Sequence, residues 1–133
     1  MHITVKSLPH ADINPIDEAP TYRLEKEWVC VLKLDGQLTR IVIENHYQYD
    51  GATIPWWARW LIERDGVHRE SALLHDYLYE NKGFINLGDD GFYYVRKDAD
   101  QIFRECLKSQ GLSSWKTFLM YNAVRAGGGK FWK

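Results

Sequence analysis

Apolar residues gather in two short runs, "WVCVLKL" and "LTRIVIE", on either side of Asp35-Gly36. β-Branched runs joined by Asp-Gly predict a hairpin, because a tight two-residue turn needs positive φ at both positions. Strands are expected over 27–34 and 38–44. Alternation is weak in the first, which predicts cover on both faces. Upstream, "HITV" reads as a short strand. The rest of residues 1–21, carrying Pro9, Pro15 and Pro20, reads as an irregular polar arm.

After "NHYQYDGATIP" the apolar period becomes helical. Helices are expected over 56–63, 67–81, 96–110 and 113–126, with Gly111 as a stop and Ser113 or Ser114 as a cap. "GFINLGDDGFYYV" reads as a loop with a small β-excursion, and "AGGGKFWK" as a flexible glycine hinge with an aromatic tip. A hairpin followed by helices gives an α+β fold: a small antiparallel sheet, then a core of three to four helices. The chain reads as one domain, with residues 1–48 as arm and hairpin, 49–126 as the site-bearing helical core and 127–133 as a tail.

Composition narrows the function classes. A net charge of −1, with Lys and Arg scattered, excludes a bulk pull on nucleic acid. The six Trp and eight Tyr serve core volume or an amphipathic contact surface. Cys30 and Cys106 fall in apolar patterns and read as buried free thiols. "MHITVKSLPH" has no hydrophobic signal region, and no apolar run is long enough for a transmembrane segment. A protein made in a reducing cytoplasm is expected.

The second expected helix contains "SALLHDYLYEN", with an adjacent His75-Asp76 pair among apolar residues. The two point about 100° apart, which suits two roles at one site. On the next helix Asp100 shares the side of Phe103 and Leu107. A carboxylate on a buried edge needs a partner, and His75 is the nearest candidate if the helices pack antiparallel. An Asp on one imidazole nitrogen fixes the tautomer and leaves the other nitrogen to take a proton. Asp50-Gly51 adds a carboxylate and turn carbonyls, oxygen donors that suit Ca²⁺. Each feature also has a plain structural reading: a satisfied core histidine, Thr53 as a helix cap, and Asp98 and Asp100 as helix N-terminal acids.

The order Asp-Gly-small-Thr, Pro, His-Asp-x-x-Tyr and Asp-x-x-Phe is similar to secreted bacterial and fungal phospholipases A2 over residues 50–103. That resemblance implies His75 as the general base activating water. It implies Asp76, Asp50 and the Gly51 carbonyl as Ca²⁺ ligands, Asp100 as the group orienting His75, and Tyr79 as a supporting residue. The two cysteines that those enzymes join near the site are Ala52 and Ala72 here. Over residues 50–128 the chain also resembles a group of small proteins of unassigned function from tailed phages and prophages, through "DGATIP", "LLHDYLY", "RKDADQIF" and "NAVRAGG". That resemblance implies a phage context, and with it a virion-associated location.

"IPWWARWLI" places Trp56, Trp57 and Trp60 close together, as a lipid or protein contact surface or as core filling. The leading expectation is a Ca²⁺-dependent ester hydrolase with a His-Asp dyad, acting on a lipid or another ester. The rival is a non-catalytic phage structural or host-interaction protein in which the same residues form a buried network. A Zn²⁺ site of Asp and His ligands including His68 is a weaker alternative, since His68 lies about 10 Å from His75 by helical rise alone.

Overall fold

The structure, a computed structural model, describes residues 1–16, 21–50, 53–58, 68–88 and 90–132. In chain order the strands are β1 (Ile3–Ser7), β2 (Ile13–Ile16), β3 (Thr21–Leu24), β4 (Trp28–Leu34), β5 (Gln37–Ile43), β6 (Gln48–Tyr49), β7 (Phe84–Asn86) and β8 (Gly91–Tyr93). The long helices are α1 (Arg69–Asn81), α2 (Arg96–Ser109) and α3 (Ser114–Gly127), followed by a 3₁₀ turn at Gly129–Phe131. The α+β expectation therefore holds, with small antiparallel sheets first and helices after.

The Asp-Gly hairpin forms as expected. β4 and β5 pair from Trp28↔Ile43 to Leu34↔Gln37. Asp35 at φ 51° and Gly36 at φ 84° make the tight turn between them. Trp28, Cys30, Leu32 and Leu34 are buried, while Val29 and Val31 are half-buried and Lys33 is exposed. The first strand thus alternates after all, and its outer face is not fully covered. β1 pairs antiparallel with β4 and completes this sheet in the order β1-β4-β5.

Two expectations at the N-terminus and C-terminus change. The polar arm contributes β2 to a second sheet, β2-β3-β6, whose other strands follow it in the chain. Pro15 lies in β2, an edge strand, where a missing N–H is tolerated. The C-terminal tail is no free hinge, because Trp132 packs edge-on against Tyr79 and Tyr94, with ring centroids 5.2 and 5.8 Å apart. "GFINLGDDGFYYV" does make its β-excursion, the β7–β8 hairpin. Residues 56–58 are helical, and the rest of the expected 56–63 helix lies outside the described residues.

Helix α2 is the hub, with apolar residues on both its sides. Ile102 and Cys106 join Cys30, Leu32, Ile41, Leu74 and Leu78 in one buried cluster. Phe103 and Leu107 join Ile54, Met120 and Val124 in another. Polar contacts fix its direction against α1. Ser71 meets Gln110, His75 meets Asp100 and Tyr79 meets Arg96, so the two helices run antiparallel.

Cys30 and Cys106 are both buried and unbridged. Burial pushes the Cys30 thiol up to about 12 and the Cys106 thiol well above its usual range, so both stay protonated. No described helix is long and apolar enough to cross a membrane.

Candidate functional site

Asp100 is fully buried on α2, and its carboxylate is satisfied on both oxygens. His75 Nε2 donates to Oδ1 at 2.7 Å, and the Tyr79 hydroxyl donates to the same oxygen at 2.7 Å. Arg125 Nη1 donates to Oδ2 at 2.8 Å, with Arg96 Nη1 3.9 Å away. Burial alone would push this carboxyl up. The hydrogen bonds from His75, Tyr79 and Arg125 outweigh it and hold Asp100 below the usual carboxylate range. Asp100 is therefore ionised, and His75 carries its proton on Nε2.

The dyad is built into the packing of three helices. His75 comes from the middle of α1, fully buried between the rings of Tyr79 and Phe103, with centroids 4.4 and 4.7 Å away. Arg125 comes from the last turn of α3. Arg96 ties that turn down by donating to the carbonyls of Val124 at 3.2 Å and Arg125 at 3.0 Å. Gly128 is needed beside it, because a Cβ there would stand 2.6 Å from the Tyr79 hydroxyl and 2.6 Å from the Val124 carbonyl. Burial and the Asp100 charge push the Tyr79 phenol up, so it remains a donor.

The other face of the imidazole meets a hydroxyl. Thr53 Oγ1 lies 3.0 Å from His75 Nδ1 and also donates to Asp76 Oδ1. Three atoms in a row, Nδ1, Oγ1 and Oδ1, need two protons for both contacts to be hydrogen bonds. Thr53 owns one, so with a neutral His75 and an ionised Asp76 its hydroxyl hydrogen-bonds to one of them at a time. The result is a continuous proton path from Asp100 through His75 and Thr53 to Asp76.

That path ends in a cleft of about 510 Å³ whose walls include Thr53, Asp76, Asp50, Tyr79, Glu80 and Lys82. Asp76 is nearly buried and Asp50 is exposed. The candidate metal ligands Asp50 and Asp76 thus share one cleft, while Gly51 lies outside the described residues. The Asp50 and Asp76 carboxylates are oxygen donors of the kind Ca²⁺ takes. Among the described residues no three His, Cys, Asp or Glu side chains gather as a metal-binding group. His75 offers no spare nitrogen to Zn²⁺, since Asp100 and Thr53 engage both ring atoms.

Trp56 and Trp57 are 75% and 40% exposed, so these two do not fill the core. Trp60 lies outside the described residues. Phe131 links the aromatic patch to the cleft, for it lines both the cleft and a shallow groove bordered by Trp56 and Trp57.

Arg96 and Arg125 belong to the site although nothing in their type or spacing predicts it, and Thr53 belongs to it although its position predicts a helix cap. A signal was present: they fall in the boxes "DGATIP", "RKDADQIF" and "NAVRAGG", beside the residues that were singled out.

No curated protein and no solved structure matches the chain. A profile described as "Protein of unknown function (DUF1353)" matches residues 22–124, from β3 to the last turns of α3. The match takes in Thr53, His75, Asp76, Tyr79, Arg96 and Asp100, and stops one residue before Arg125. With most of its length covered, the chain belongs to the DUF1353 family.

Proposed function

We propose that the protein hydrolyses carboxylic esters, with His75 as the general base and Asp100 as the group that orients it. One observation carries this reading. His75 Nε2 is committed to an ionised Asp100, while Nδ1 faces an oxygen on the wall of an open cleft. An imidazole so held takes a proton at Nδ1 from an attacking oxygen and returns it to the departing alkoxide. Arg125 and Tyr79 keep the Asp100 charge in place, which stabilises the imidazolium that forms.

Asp50 and Asp76 would hold a Ca²⁺ at the cleft through oxygen. When bound, such an ion supplies charge for the developing oxyanion. The exposed Trp56 and Trp57 fit a lipid-bearing ester, reached along the edge that Phe131 shares with the cleft. The experiment is hydrolysis of phospholipid, lysophospholipid and aryl esters by the whole chain, with and without millimolar Ca²⁺. Turnover of any of them supports the reading.

A second reading is favoured by one observation, the complete burial of His75. In it the cluster is a polar network that fixes how α1, α2 and α3 pack, in a phage structural or host-interaction protein. A wild-type protein inert on every ester, in which His75→Gln lowers Tm, decides for this reading.

A further inference from the structure

We infer that Thr53 is the nucleophile of this site, which makes Asp100, His75 and Thr53 an acid–base–nucleophile triad. The inference rests on the ester-hydrolase reading and departs from it on one point: the first attacking oxygen belongs to the protein and not to water. Water could be activated directly only if it reached His75 Nδ1. In the resting structure that nitrogen is occupied: His75 is fully buried and Thr53 Oγ1 takes the hydrogen-bonding position 3.0 Å away. Among the described residues, the Thr53 hydroxyl is the proton-bearing oxygen that touches Nδ1. Thr53 also lines the cleft, and His75 does not.

The geometry is that of an activated hydroxyl, with the base in hydrogen-bond reach and itself oriented by a third group. Asp76 supplies the second hold on Oγ1 and fixes the hydroxyl between two acceptors. In the reactive form the Thr53 proton points at Nδ1. As Oγ1 bonds to the ester carbonyl carbon, that proton passes to Nδ1. Collapse of the tetrahedral adduct breaks the bond to the alkoxide, which leaves with the proton from Nδ1. Acylation takes from Oγ1 the proton that held it to Nδ1, so that contact is released and water takes its place: it gives a proton to Nδ1, bonds to the acyl carbon, and Oγ1 departs with that proton. The balance is ester plus water to acid plus alcohol.

The test uses the full chain with p-nitrophenyl acetate, read by stopped-flow release of nitrophenol and by mass spectrometry after acid quench. A fluorophosphonate serves as the irreversible probe. The expected result is a stoichiometric burst and one acetyl or phosphonyl group mapped to the Thr53 peptide. Thr53→Val, which keeps the shape and removes the hydroxyl, should be folded by circular dichroism, unlabelled, and slower by ~10²-fold or more. Thr53→Ser should retain the burst and the label. Steady hydrolysis that survives in Thr53→Val overturns the inference and leaves the ester-hydrolase reading standing. So does an inactive Thr53→Val whose parent never carries a label, for Thr53 then only positions His75. A wild type that neither turns over esters nor takes the label overturns both.

Discussion

Asp100→Asn is the perturbation whose cost follows most directly from the geometry. The carboxylate receives His75 and Tyr79 on one oxygen and Arg125 on the other, with no exposure to water. Asparagine keeps the shape but has only one accepting atom. Its cheaper orientation keeps the oxygen on His75 and Tyr79 and turns the amide NH₂ toward Arg125. One charge-assisted hydrogen bond is lost, roughly 1.5–3 kcal/mol, and two donors then face each other. Breaking a buried ion pair by removing one partner costs about 3–5 kcal/mol. Arg125 is 31% exposed and can turn to water, so the low end applies, about 3 kcal/mol. For a chain of this size that is a fall of about 10 °C in Tm. Urea and thermal melts of wild type, Asp100→Asn and Arg125→Met give the test. Asp100→Asn should cost more than Arg125→Met, which leaves the carboxylate its two other donors. An Asp100→Asn protein within about 0.5 kcal/mol of wild type would mean that Asp100 does not hold its three donors as an ionised carboxylate.

Acid should act through the same residue. Asp100 titrates below its ordinary 3.8 in the folded protein, so its stabilisation is present above that value and lost as pH falls through the lower folded value. Melts from about pH 5 to about pH 2 should show a steeper loss in wild type than in Asp100→Asn, and parallel curves would count against the assignment. Gly128→Ala should destabilise by about 1–3 kcal/mol, because its Cβ must displace the Tyr79 hydroxyl or the Val124 carbonyl; an unchanged urea midpoint would contradict that close approach. Millimolar Ca²⁺ should raise the Tm of wild type and not of Asp76→Ala, and an equal Tm with and without the ion in both proteins would remove the metal from the account.

What the sequence made legible was whatever rests on local chemistry. Asp35-Gly36 demanded positive φ, and apolar periodicity placed α1, α2 and α3 within two residues of their ends. His75 and Asp100 stood out because each was polar on an apolar stripe, and they do meet. The β2–β3 sheet stayed hidden because Pro15 and its polar neighbours resemble an arm, and only an edge position makes a proline acceptable in a strand. Arg96 and Arg125 stayed hidden for another reason. Long cationic side chains on a helix look like solvent-facing residues until the carboxylate they approach is known. Thr53 satisfied the local grammar of a cap, and its contact with His75 spans 22 positions of sequence that no periodicity links.

The proposed function depends on His75 being a base that serves a reactive cleft and not only a packing element. Ester turnover by His75→Gln, compared with wild type at equal folded fraction, tests it most directly. Wild type should hydrolyse the ester measurably and the variant should be slower by ~10²–10⁴-fold, with secondary structure preserved. Wild-type activity that persists undiminished in a folded His75→Gln protein would contradict that role.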